Sequence, residues 1–287
     1  MKTTKRMDKP NDTLMKRQAS YAGDVMHEFH NFPGTYAGPC MNEYPNVDGG
    51  VPRTDSTYYI KYNGRKCIMN WEDESGKISR KTLKKSNRYR RNLEYIFKTD
   101  VISSITTSNP LPNYKLELNT SPTLKFQPIV ISYSEWDGKE RLSTITTKIE
   151  NNHVLSKVEA MDLIMIPKMF SENQDKILEK VCALLSRLKI TDSDFKLELV
   201  LEMRCVIHKY AKTLKDINRL EGVIGLQEVI TAKQFQDQKL IKQGAFQMAL
   251  KVKETLGIEL ATQISEFSKE ELENEKLNKT PAYEELD

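Results

Sequence analysis

The chain has 287 residues, 38% hydrophobic and 29% charged, with a mean hydropathy of -0.58 and a net charge of +4. It contains no run approaching the roughly 20 apolar residues of a membrane span, and its four cysteines show no CxxC pair, which argues against a zinc knuckle or a disulfide framework. These features predict a cytoplasmic protein without membrane attachment, its thiols free and buried in a reducing compartment.

The charge is unevenly placed: residues 1–100 hold 19 Lys and Arg against 12 Asp and Glu, so a polyanion should meet this part of the chain. Residues 1–20 are polar and basic, without the apolar core of a secretory signal, and read as a disordered leader. Tyr21 to Phe32 reads as a short helix ended by Pro33-Gly34. His27 and His30 lie three apart on it, a spacing that suits a metal pair but lacks a third ligand. A Gly/Pro-rich loop over 34–53 follows. Thr57 to Tyr62 and Lys66 to Glu72 then form two β-rich runs around Asn63-Gly64, the strongest short-range hairpin signal. Ser79 to Phe97 has an apolar arc of Leu83, Tyr89, Leu93, Ile96 and Phe97 and predicts an amphipathic helix.

Further strands are predicted at Val101 to Thr107, Tyr114 to Leu118, Pro128 to Tyr133, Leu142 to Ile149 and Leu163 to Ile166. Helices are predicted at Glu172 to Leu188, Asp192 to Ala211 and Leu226 to Leu256. Two short ones follow around Ile258 to Ile264 and Ser268 to Leu277, the latter opened by a Ser268–Glu271 capping box. The order predicts an α/β or α+β domain over 21–170, a helical region over 171–280 and a tail at 281–287. The closing helices carry Glu270, Glu271, Glu273 and Glu275, which would repel phosphate. Packing or homo-oligomeric self-association through Leu250, Leu256, Ile258, Ile264 and Leu272 suits them better than DNA reading.

The chemistry concentrates at the hairpin. Strand alternation sends Asn70, Glu72 and Glu74 to one face, with Met69, Trp71 and Asp73 on the other. Asp55 lies nine positions before Gly64 and Glu72 eight after it, so both stand at the same end of the hairpin. Asp55, Glu72 and Glu74 are candidate ligands of one Mg²⁺ or Mn²⁺ and candidate catalytic residues. A metal-bound water would be the nucleophile for phosphodiester hydrolysis. Ordinary solvated acids at a hairpin end are the competing reading. Between Lys77 and Arg91 stand eight Lys or Arg and no acid. Arg80, Lys81, Lys84, Lys85, Arg88 and Arg91 are candidate phosphate contacts with DNA, beside the carboxylates.

Asp55, the glycine-turn hairpin and Asn70-Trp71-Glu72-Asp73-Glu74 resemble the D…(D/E)xK signature of PD-(D/E)XK nucleases. More narrowly they resemble the recombination-promoting nuclease (Rpn), or putative-transposase, branch. A second segment is similar to that branch's closing region: Lys242-Gln243-Gly244-Ala245 to Leu250, Gly257-Ile258-Glu259, Ile264, and Ser268 to Leu272. The resemblance implies a restriction-endonuclease-like core, a metal-dependent DNA endonuclease, and Asp55 and Glu72 as metal ligands. Glu74 departs from it, standing where the family has Gln or Lys. Glu74 then becomes a third ligand, or a cation comes from Lys81, Lys84 or Lys85, or the site is weakened or dead. The resemblance further implies an acid from the first helix, with Glu28 and Asp24 as candidates ahead of Glu43 and Asp48. The alternative function is a catalytically lapsed nuclease fold that binds nucleic acid or a protein partner.

Overall fold

A computed structural model describes residues 5–40, 54–265 and 267–274. They fall into two compact units, one through Gln227 and one from Glu228. No described helix is long and apolar enough to cross a membrane.

The first unit opens with α1 (Pro10–Tyr21) and α2 (Gly23–Phe29), followed by β1 (Thr35–Pro39), β2 (Ser56–Tyr62), β3 (Arg65–Glu74), α3 (Arg80–Phe97) and β4 (Val101–Thr107). Next come β5 (Leu118–Asn119), β6 (Lys125–Phe126), β7 (Ile129–Ser132), α4 (Gly138–Glu150), α5 (Lys157–Met165), α6 (Gln174–Ser186), α7 (Ser193–Tyr210) and α8 (Leu214–Val223). Five strands form one mixed sheet in the order β1-β2-β3-β4-β7, antiparallel up to β3 and parallel beyond it. This is the expected α/β class.

The β2–β3 hairpin forms as its turn chemistry demands. Asn63 and Gly64 take φ of 48° and 76°, the left-handed pair a two-residue turn requires. That turn sets the register, Tyr62 opposite Arg65 through Ser56 opposite Trp71. Parallel β3 and β4 need a crossover, and α3 supplies it. Ser79 caps α3 by accepting the Thr82 N–H, and the Thr82 hydroxyl accepts the Ser79 N–H in return. Lys98 ends the helix at φ 52°. Leu83 packs with Ile78, Ile105, Leu118 and Phe126, while Leu93 packs with Ile68 and Val101. These contacts seat α3 on the sheet face that carries Asn70 and Glu72. The opposite face buries Trp71 against His30 and Phe32.

Several expectations are corrected. Most of the leader is ordered: Leu14, Met15, Gln18 and Ala19 recur at helical spacing and bury one face of α1. Arg17 of α1 makes two hydrogen bonds, of 2.6 and 2.7 Å, to the Glu198 carboxylate of α7. Leu142 to Ile149 is helical, with Leu142, Ile145 and Ile149 buried at a period of three to four beneath an Asp137 N-cap. Leu163 to Met165 ends α5, and Ile166 to Met169 continues as a 3-10 turn through Pro167. An apolar run of that length is ambiguous between buried strand and buried helix; the Ser156–Glu159 capping box selects the helix. Of Tyr114 to Leu118, only Leu118 enters a strand. The helix α8 was not expected. The boundary at residue 170 disappears, because α6 to α8 belong to the same unit as the sheet.

The second unit holds most of α9 (Leu226–Leu256), with α10 (Ile258–Ile264) and α11 (Lys269–Glu273). Phe246, Ala249, Ala261, Phe267 and Leu272 form its core. Gly257 turns the chain at φ 92°, and the Ser268–Glu271 capping box opens α11 as predicted. Of the residues assigned to self-association, Leu272 is internal and Leu250 and Ile258 pack against that core, which leaves Leu256 exposed. The side chain of Ile264 and the tail at 281–287 lie outside the described residues.

Candidate functional site

The hairpin register pairs Ser56 with Trp71, so the next position outward sets Asp55 against Glu72. Asp55 Oδ2 accepts the Asp73 N–H at 3.0 Å, which fixes its carboxylate beside the Glu72–Asp73 peptide. Glu72 is 5% exposed, and Lys85 Nζ of α3 approaches its Oε2 at 3.2 Å. By strict geometry neither Glu72 oxygen is fully hydrogen-bonded among the described residues, although Lys85 and the Asp55 N–H both lie close enough to favour its charged form.

Electrostatics follow from this packing. Burial, reinforced by the neighbouring Asp55 charge, pushes the Glu72 carboxyl up to about 8 against the opposing pull of Lys85. Burial also raises Asp55, more than the Asp73 N–H and Lys85 lower it. Burial opposes the Lys85 charge, yet Glu72 and Asp55 outweigh it and raise Lys85. The cluster is short of positive charge: two inward-facing carboxyls share one half-exposed ammonium.

Glu74 lies farther out. It is half-buried, accepts the Gly76 N–H at 3.2 Å, and lines a concavity of about 620 Å³ with Lys77, Lys81, Lys84, Lys85 and Arg88. An adjoining concavity of about 470 Å³ shares Lys84 and Arg88 and adds Arg91. Five of the six candidate phosphate contacts therefore line this groove. Arg80 is exposed but borders neither hollow. Sequence spacing brought Asp55 and Glu72 together correctly; Glu74 does not complete a three-carboxylate cluster with them.

The acids assigned from the first helix fall elsewhere. Asp24 and Glu28 are exposed on α2, whose His30 packs under Trp71 on the other side of the sheet. Glu43 and Asp48 lie outside the described residues. Instead Asp12 of α1 stands close enough to raise the Asp55 carboxyl. Asp12 was missed because its helix was read as disorder; Pro10 at the first helical position was the available signal. The two histidines are core residues. His30 Nδ1 donates to Met26 O at 2.9 Å and its Nε2 accepts from the Tyr133 hydroxyl at 2.8 Å; His27 bridges Gly34 O and the Tyr58 hydroxyl.

A second polar cluster, also unforeseen, lies across the sheet. Asp73 Oδ1 accepts the Thr106 hydroxyl at 2.8 Å and Lys168 Nζ at 3.3 Å, and Oδ2 accepts the Asn11 amide. Asn11 Oδ1 accepts Lys209 Nζ at 2.8 Å. Lys168 is fully buried, and this network ties α1 and α7 to the sheet.

No group of three His, Cys, Asp or Glu suited to a metal ion occurs among the described residues. Asp55 and Glu72 alone still fit a hard divalent cation. Mg²⁺ is commonly held by one or two carboxylates, with waters and substrate phosphates filling its other positions. The Glu72 oxygens, only loosely held by Lys85 and the Asp55 N–H, supply the ligand atoms such an ion needs. Comparison with known proteins returns no matching family model, no matching curated protein and no matching solved structure.

Proposed function

We propose that the chain is a metal-dependent DNA endonuclease of PD-(D/E)XK type, close to the recombination-promoting branch. One observation carries the reading: the buried Glu72, only loosely held by its neighbours, stands between Asp55 and Lys85 in a recess that opens on a groove lined by cations. The resemblance of Asp55 and Asn70-Trp71-Glu72 to the family motif supports it, as does the position of Lys85. In this reading Lys85 takes the place of the lysine that Glu74 vacates in the sequence.

Asp55 and Glu72 would hold the divalent ion, which when bound polarises the phosphoryl oxygen and lowers the pKa of a coordinated water. Asp55 keeps its orientation through the Asp73 N–H. Lys85 offsets negative charge that develops on the phosphate, an electrostatic role commonly worth about 10²- to 10³-fold in rate. Lys81, Lys84, Arg88 and Arg91 bind the backbone without reading sequence. Glu72 must shed its proton to bind a cation, so cation affinity should rise with pH through about 8.

Purified protein is to be incubated with supercoiled plasmid and with circular single-stranded DNA in Mg²⁺ or Mn²⁺, beside Asp55→Ala, Glu72→Ala and Lys85→Ala. Loss of cleavage in all three is expected; equal activity in wild type and variants removes the assignment. A second reading is a lapsed nuclease that retains binding. The gathering of two carboxylates rather than three among the described residues, with a lysine already against one, favours it. Salt-dependent DNA binding without cleavage under either ion would select it.

A further inference from the structure

The exposed face of α3 carries more than a general positive charge. Lys81, Lys84, Arg88, Arg91 and Tyr95 follow one another at steps of three and four residues. At 100° per residue they share an arc of about 80°, and all five are exposed. From Lys81 to Tyr95 the row runs about 21 Å along the helix. Leu118 of β5 borders the same hollow as Arg88, Arg91 and Tyr95. The row is therefore a file of cations that ends on an aromatic ring.

The ring is only partly covered. Tyr95 is 60% exposed, and Lys98 Nζ sits over it at 4.0 Å from the centroid. A tyrosine in a cationic groove recognises something a bare phosphate lacks. In a duplex the bases are stacked on one another and face away from a protein that follows the backbone. An unpaired strand turns its base faces outward, and a groove that tracks phosphates while an aromatic ring receives a base is how single strands are held.

We propose that this groove binds a single strand of nucleic acid, with its phosphates along Lys81, Lys84, Arg88 and Arg91 and a base stacked on Tyr95. The row accommodates about four nucleotides, the low end of known single-strand site sizes. The proposal rests on the nuclease reading only for its direction. Lys85 and Glu74 line both the first hollow and the recess that holds Glu72, so a strand laid on α3 leads to the carboxylates. About 15 Å, ten helical residues, separates Lys85 from Tyr95, placing the stacked base a few nucleotides from the reacting phosphate.

The test is fluorescence anisotropy in EDTA with labelled 12-nucleotide DNA, the matching RNA, and the 12-base-pair DNA duplex. Wild type should bind at least one of the single strands about tenfold or more tighter than the duplex. DNA over RNA, RNA over DNA, or both alike identifies the strand and agrees with the proposal. Tyr95→Ala should weaken single-strand binding about tenfold and leave duplex binding within twofold, whereas Tyr95→Phe should retain wild-type affinity. Arg88→Ala/Arg91→Ala should weaken every probe and reduce the salt dependence by about two ions. Duplex binding as tight as the better single strand overturns the proposal, as does unchanged single-strand affinity in Tyr95→Ala. All three sites are exposed, and thermal melts will verify folding. No divalent ion is present, so cleavage is a separate readout: single-strand binding without any cleavage removes the nuclease and keeps the groove, while cleavage without strand preference does the reverse.

Discussion

Glu72 and Asp73 are neighbours on one strand, both drawn into the interior, and their carboxyls move in opposite directions. Glu72 meets a second carboxylate and one off-axis ammonium, and rises to about 8. Burial pushes Asp73 up as well, but Lys168 and Lys209 outweigh it with the Asn11 and Thr106 hydrogen bonds, and its pKa falls. The number of partners, with burial similar, decides the sign. Replacing Lys168 with Met should destabilise the protein by about 3–5 kcal/mol, because Asp73 is left a buried charge with too little compensation. Lys168→Met/Asp73→Asn should recover a large part of that loss. Urea denaturation measures both, and a single variant no less stable than the double one would show that the pair carries no such coupling.

At the scale of elements, α3 was the most legible part of the chain and also the part whose use was hardest to read. Its boundaries and its two faces follow from local rules: Ser79 as cap, Leu83 and Leu93 at helical spacing, and an acid-free charged side. Ser79→Ala removes the cap hydrogen bond to the Thr82 N–H and should cost about 1 kcal/mol in chemical denaturation. It should also loosen the turn that positions Lys85. Which lysine reaches Glu72 was not legible. Lys81, Lys84 and Lys85 were equal candidates until the seating of Leu83 on Ile105 and Leu118 fixed the rotation of the helix about its axis. Short segments were the least legible elements: Leu163 to Ile166 fits two periods until its Ser156 cap is weighed, and the helical spacing of Leu142, Ile145 and Ile149 beneath the Asp137 cap competes with a composition rich in β-branched residues.

Across the whole molecule, burial raises a second carboxyl of the first unit besides Glu72. Glu202 of α7 is wholly buried, and burial together with Glu198 raises its carboxyl to about 8, while Gln18, Arg17 and Lys168 oppose the shift. The folded protein therefore retains protons at Glu72 and Glu202 that the unfolded chain surrenders near pH 4.5. Stability from these groups is complete below about pH 4.5, declines as pH rises toward 8, and is lost above it. Glu202→Gln should flatten that decline by on the order of a few kcal/mol between pH 5 and pH 8.5. Melting curves of wild type and variant at both pH values provide the comparison, and parallel curves would contradict the assignment of Glu202.

What the sequence by itself determined is what local rules control. A two-residue turn sets the hairpin register, so Asp55 and Glu72 had to stand at one end; the periods of two and 3.6 gave strand and helix faces their character. Only the tertiary structure decided that Lys85 meets Glu72, that Asp12 approaches Asp55, and that Lys168 and Lys209 serve Asp73. Those partners are brought together by the packing of α1 on α7 and of α3 on the sheet. Residues distant in sequence meet only once buried surfaces fix how each element is rotated against its neighbour, and no local pattern encodes that angle.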